Sequence, residues 1–231
     1  MPFQRLPDSP RGHITREALI QAALGIFGRD GFDAASTRAI AAAAGANQAL
    51  IGYHFGGKEG LYLAVFEHIA DRLGEQVLPV ATSIKAQFQG RGTRTLDREA
   101  RIGLYLPPLL RLLDTFTAVL VGEEAAGWAR LILREQHSPS RAFDVLYARI
   151  MGPLTDIIGQ LLAGAVGGAP DATRINLLLF TTLGQALTFR AARASVLRRM
   201  GWQEIGPREL AAVQGQIRRN VAAIVRAEAG R

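Results

Sequence analysis

The chain has 231 residues, 48% of them hydrophobic, and a formal net charge of +7, enough for a sizeable core in a soluble protein of one or two domains. It has no cysteine, which excludes disulfides, thiolate zinc sites and cysteine nucleophiles. The start, MPFQRLPDSPRGH, has no apolar signal core, and no later segment reaches the ~18 uninterrupted apolar residues of a membrane helix, so a cytoplasmic location is expected. Charge does not locate a nucleic-acid surface. Residues 1–60 carry six basic and five acidic side chains, whereas residues 141–231 carry twelve and six, and a solvated arginine-rich surface is the plain reading of that excess.

Residues 1–14 hold three prolines and few apolar side chains, and are expected to form a flexible arm from which Arg5 and Arg11 can reach a minor groove. Thr15 is a candidate N-cap for a first helix whose apolar face is Ile20, Ala23, Leu24 and Phe27, at i, i+3, i+4 and i+7. This helix should end near Arg29-Asp30-Gly31. Ser36 then caps a short alanine-rich helix that stops at Gly45. At its start Thr37, Arg38 and free backbone N–H groups suit a phosphate. Asn47 is the candidate cap of a third helix with Ile51 and Phe55 on its buried edge. The opposite face shows Gln48, Ala49, Gly52 and Tyr53. Gln48 suits adenine, Ala49 a thymine methyl, and Tyr53 and His54 phosphates or base edges. Taken alone His54 reads first as a core histidine, and Gly52 either admits DNA close to the backbone or is a tolerated helix defect that costs ~1 kcal/mol. Lys58 at the start of a fourth helix opposes the helix dipole, which favours a solvent or phosphate partner.

Residues 15–66 resemble the N-terminal domain of the TetR family of bacterial transcriptional regulators. The motifs are Gly31-Phe32, ST-x-x-IA from Ser36, Gly45, His54-Phe55 and Lys58-Glu59. The resemblance implies a helix-turn-helix with phosphate contacts from Thr37, His54 and Lys58 and base-edge contacts from Gln48, Ala49 and Tyr53. Gly52 departs from a frequent tyrosine, and Leu50 from a frequently polar base-reading position. The segments LREQHSPSRAFDVLY and LGQALTFRAARASVLRRMGW resemble the C-terminal domain of the CecR-like subgroup of that family, which implies a homodimer and a small-molecule-sensing core.

Past Phe66 the pattern is helix after helix, punctuated by Gly74, Pro79 and a polar stretch from Gln89 to Glu99. Leu106 to Val121 reads as a buried helix with Pro107 and Pro108 in its first turn. Helices follow from about Glu124 to Gln136, from a Ser138 or Ser140 cap to about Ala165, from Asp171 through Arg199, and from Pro207 to about Ala227. Polar residues within these apolar helices, Arg134, Gln160, Asn176, Gln185 and Arg190, suit a pocket or an interface, although a structural hydrogen bond accounts for each one singly. Tyr105, Phe116, Trp128 and Phe180 suit a pocket wall or plain core. Tyr105, Phe116, Trp128, Arg134 and Gln185 are the candidate ligand residues.

Glu135 and His137, two apart, point to different helix faces and make poor partners for a metal or for acid-base work. No hydrolase, zincin or phosphate-loop motif occurs. The expectation is an all-α protein without catalytic residues, metal or cofactor. It comprises an arm (residues 1–14), a three-helix helix-turn-helix domain (15–66) and a helical ligand-binding and dimerisation domain (67–231). Its expected function is a ligand-responsive regulator, most simply a repressor, which binds a palindromic double-stranded DNA operator as a homodimer and is released by a small-molecule effector. The expected four-helix dimer interface comes from residues 140–165 and 171–199, with no membrane partner. The alternative is an all-α ligand carrier or enzyme with a vestigial DNA-binding domain.

Overall fold

The computed structural model describes residues 10–88 and 96–230, side chains from Thr15 onward. The described residues are helical and contain no strand. In order they form α1 (Pro10–Ala34), α2 (Thr37–Ala43), α3 (Ala49–Phe55), α4 (Lys58–Phe88), α5 (Arg98–Val121), α6 (Glu124–His137) and α7 (Arg141–Leu146). A π-helical turn (Tyr147–Met151) leads to α8 (Gly152–Val166), α9 (Thr173–Ala191), α10 (Arg193–Met200) and α11 (Pro207–Glu228). Two compact units result. One holds the described residues of Met1–Asp71 with Ala126–Tyr147, and the other those of Arg72–Ala125 with Ala148–Arg231.

In the first unit the apolar face of α1 behaves as its spacing predicts: Ile20, Ala23 and Phe27 are buried, with Leu19 and Ile26 beside them. Leu24 is half-buried. The helix opens at Pro10, five residues before Thr15. Proline suits a first turn because its missing N–H has no helical acceptor there; residues 10–14 of the expected arm, Arg11 among them, have helical backbone, and residues 1–9, with Arg5, lie outside the described residues. Gly31, at φ 84°, ψ 172°, kinks the last turn, and only glycine adopts that backbone without strain. Phe27, Phe32, Tyr62 and Phe66 form a chain of ring contacts with centroids 5.0–6.0 Å apart.

α6 and α7 belong to this same unit. A Cβ at Gly28 would lie 3.0 Å from the Gly127 carbonyl, so α1 and α6 approach at backbone distance. Arg134 donates to the Phe27 carbonyl at 3.0 Å. The buried Glu135 accepts from the Tyr62 hydroxyl at 2.9 Å with one oxygen. With the other it accepts from the Ser140 N–H and hydroxyl, each at 2.8 Å. The Ser140 hydroxyl in turn caps α7 through Ala142 N–H. A buried carboxylate needs such partners, since unpaired it costs several kcal/mol. Burial, and next the hydrogen bond to Glu135, push the Tyr62 phenol pKa well above its ordinary value.

In the second unit α5 is central, with α8, α9 and α11 packed around it. By length and composition α5 is apolar enough to cross a bilayer, but here Ile102, Leu106, Leu109, Leu112 and Leu113 are buried in the unit's core. α11 contributes Val213, Ile217, Val221 and Val225, a stripe at every fourth residue.

Several predicted boundaries shift. α4 runs unbroken through Gly74 and Pro79. α5 starts at Arg98, where Asp97 accepts from Ala100 N–H at 2.8 Å, so Pro107 and Pro108 lie mid-helix. The cap and the buried Ile102 and Leu106 fix the helix ahead of the prolines, so tertiary burial overrides the local break. The polar stretch consequently ends by Asp97, and its residues 89–95 lie outside the described residues. The predicted helix from Asp171 starts at Thr173 and breaks at Ala192 (φ −102°, ψ 25°), after which α10 begins.

Candidate nucleic-acid interface

Ser36 takes extended backbone (φ −98°, ψ 127°) and its hydroxyl accepts from Ala39 N–H, an N-cap that starts α2. Ile40 and Ala41 are buried, and Arg38, Ala39, Ala42 and Ala43 are exposed. The turn is a Schellman motif. Ala46 N–H reaches the Ala41 carbonyl at 2.9 Å, Gly45 N–H reaches Ala42 at 3.1 Å, and Gly45 holds φ 61°.

Asn47 accepts from Ala49 N–H at 2.9 Å, although the helical backbone reaches back to Gln48. On α3 Ile51 is buried. Leu50, His54 and Phe55 are half-buried, and Gln48, Ala49, Gly52 and Tyr53 face outward. The exposure of Tyr53, 76%, is too large for a core aromatic. Its ring meets His54 edge-on at 4.9 Å, and His54 is partly exposed. Gln48 donates to the Thr37 hydroxyl at 3.0 Å, tying α3 to the first turn of α2. A Cβ at Gly52 would meet nothing within 4 Å, so packing within the chain does not require this glycine.

Lys58 lies beside the end of α1. Its ammonium donates to the Asp33 carbonyl at 3.0 Å and lies 4.8 Å from the Phe32 ring centroid. The last carbonyls of α1 lack helical partners and form its negative end, and this exposed bond leaves the ammonium two further donors for a phosphate. Gly60 escaped the sequence reading: its Cβ would fall on the Phe55 carbonyl oxygen, so α4 can start against the end of α3 only with glycine there. The third glycine of GGKEG, closing the segment after Lys58 and Glu59, was the available signal.

From Ser36 to Gly57 there is no acidic residue, so the outward face carries Arg38, polar side chains and an aromatic ring without a carboxylate to repel phosphate. The five candidate ligand residues divide between units. Trp128 and Arg134 belong to the first, where Trp128 is 5% exposed and its indole N–H has no partner. Tyr105, Phe116 and Gln185 belong to the second. Tyr105 stacks on Phe88 at 4.9 Å and lies where a Cβ at Gly164 would go, Gln185 accepts from Asn220 at 3.0 Å, and Phe116 is half-buried. Among the described residues no three His, Cys, Asp or Glu side chains converge on a metal-sized site.

Residues 19–65 match the family described as bacterial regulatory proteins, tetR family. Residues 108–228 match the C-terminal domain of the HTH-type transcriptional dual regulator CecR. The chain is 35% identical over 193 residues to the HTH-type transcriptional dual regulator CecR of Shigella flexneri, covering 83% of this chain and 82% of that one. Over 55 residues, 24% of this chain and 26% of the relative, it is 38% identical to the HTH-type transcriptional repressor NicS of Pseudomonas putida. The fold matches a TetR-family regulator structure from Mesorhizobium loti with TM-score 0.58 and 20% identity, covering 95% and 97% of the two chains. It also matches the Bacillus subtilis regulator FadR, solved with stearoyl-CoA, with TM-score 0.58 and 16% identity over 90% and 97%. The helix-turn-helix geometry and these likenesses along the chain agree, and the chain belongs to the TetR family of transcriptional regulators, with a CecR-type C-terminal domain.

Proposed function

We propose that this regulator is a repressor that binds a palindromic operator as a homodimer in the cytoplasm and leaves it when a small molecule binds. The observation that carries the reading is the outward face of α3, where Gln48, Ala49, Gly52 and Tyr53 project beside the capped start of α2. In this reading Gln48, Ala49 and Leu50 address base edges, and Asn47 holds the first turn of α3 in register. Thr37, Arg38, His54 and Lys58 meet phosphates, Tyr53 meets a phosphate or a base edge, and Gly52 lets the backbone approach. An intact cap, Schellman turn and Gln48–Thr37 bond argue against a vestigial domain in a carrier or enzyme.

Dimerisation is supported by α9, which exposes Leu177 (63%), Phe180 (65%) and Leu187 (43%) along one face, more apolar surface than a lone helix face keeps in water. Two recognition helices ~34–36 Å apart would enter successive major grooves. An effector releases DNA only by its higher affinity for the dimer whose helices are wrongly spaced. That the fold neighbour FadR was solved with stearoyl-CoA supports a small-molecule effector here.

Binding to a panel of single-base operator variants tests the assignment. Gln48→Ala should flatten preference at one base pair, a loss of about 1–3 kcal/mol of discrimination. Lys58→Ala should weaken every sequence alike. Uniform loss from Gln48→Ala as well would remove it from base readout.

A further inference from the structure

Two arginines at the junction of α9 and α10 lack a counter-charge. α9 buries Ile175, Leu179, Leu183 and Ala186 and packs against α5 and α8. Arg190 follows Ala186 by four residues and Leu183 by seven, so it continues this inward stripe rather than the exposed one of Leu177, Phe180 and Leu187. The helix breaks at Ala192 and restarts with Arg193. Both arginines are half-buried. Arg193 Nη1 is sealed from solvent with no hydrogen-bond partner, and neither arginine forms an ion pair among the described residues.

Burial, and then the neighbouring charge of Arg193, lower the Arg190 pKa. Two guanidiniums that repel each other, one with a buried unmet N–H, make an arrangement that a bound anion completes, because leaving a charged donor unsatisfied is costly. Paired planar forks recognise carboxylates and phosphates bidentately. Ala186 and Leu183, one and two turns before Arg190 on the same face, are buried and make its surroundings apolar.

We propose that Arg190 and Arg193 bind the anionic head group, carboxylate or phosphate, of the small molecule that regulates this protein. The regulatory part of this inference rests on the reading given under Proposed function. The test is calorimetric titration of the full-length protein with octanoate and with octyl phosphate, octanol serving as the uncharged control. At least one acid should bind saturably, at least tenfold more tightly than octanol. Arg190→Gln and Arg193→Gln should each weaken it at least tenfold, while Arg193→Lys, which keeps the charge, retains part of the binding and controls for folding. Preference for octyl phosphate assigns a phosphate head, and preference for octanoate a carboxylate.

Equal binding of octanol, or acid binding unchanged in both glutamine variants, overturns the proposal. So does a wild type that binds neither acid, and if the glutamine variants then lose the dimer in sedimentation velocity, the pair belongs to a subunit contact. Band shifts with promoter DNA on the same samples separate the two readings. DNA binding that ignores a bound acid overturns this inference alone, whereas acid binding without any DNA binding overturns the regulator reading and leaves the head-group site standing.

Discussion

Gly52 sits in a helix where glycine costs ~1 kcal/mol relative to alanine, and nothing in the chain occupies the space its Cβ would take. Gly52→Ala should therefore raise the melting temperature slightly and, if the α3 backbone lies against DNA, weaken operator binding at least tenfold. Thermal melts and band shifts on one preparation check this, and a stabilised variant with full DNA affinity would make the glycine a neutral defect. Tyr62 gives a second residue-scale test. Its raised pKa means that the folded state holds the phenolic proton more tightly than the unfolded chain. The resulting stability is complete below about pH 10 and is lost as pH rises through the ordinary tyrosine range towards the raised value. Tyr62→Phe, which leaves one oxygen of buried Glu135 short of a partner, should cost about 1–3 kcal/mol at neutral pH and flatten that alkaline decline. Urea unfolding from pH 7 to 11 measures both. A structural hydrogen bond was the plain reading of Arg134 and it makes one, but its acceptor, 107 residues away, was not legible, nor was Tyr62, 73 residues away, as a donor to Glu135.

The short elements were the readable ones. α2 was visible because cap chemistry is local: Ser36 and Gly45 lie next to the helix they bound, and each does the work its residue type suggests. Ser36→Ala should cost about 1 kcal/mol and lower DNA affinity in step, because α2 orients α3 through the Gln48–Thr37 bond. Unfolding midpoints and band shifts check it, and unchanged DNA affinity would show that α2 does not position α3. Long helices were misjudged wherever local punctuation competed with burial. Pro79, Pro107 and Pro108 signal ends, yet α4 and α5 pass through them, since apolar residues on either side, such as Val77 and Ala81, are held in the core. Conversely, nothing in the alanines around Ala192 announces the break between α9 and α10.

At the scale of the whole chain, the all-α class followed from periodicity and the absence of strand alternation, and the family from residues 15–66 and the C-terminal segments. The composition of each unit did not follow. α6 and α7 share the core of the unit that carries the helix-turn-helix, through the backbone contact of Gly28 with Gly127 and the Glu135 bonds. A linear reading assigns residues 126–147 to the second half, because no local signal marks a segment that packs with elements sixty or more residues earlier. Two such chains are proposed to place two α3 helices on one DNA site, and that arrangement can be measured. It is tested most directly by sedimentation velocity of the protein on a duplex from its own promoter region, run across a salt series. Two chains per duplex are expected, with an affinity that falls steeply as salt rises, as phosphate contacts require. Absence of salt-sensitive binding to any promoter-region duplex, or saturation at one chain per duplex, would contradict it.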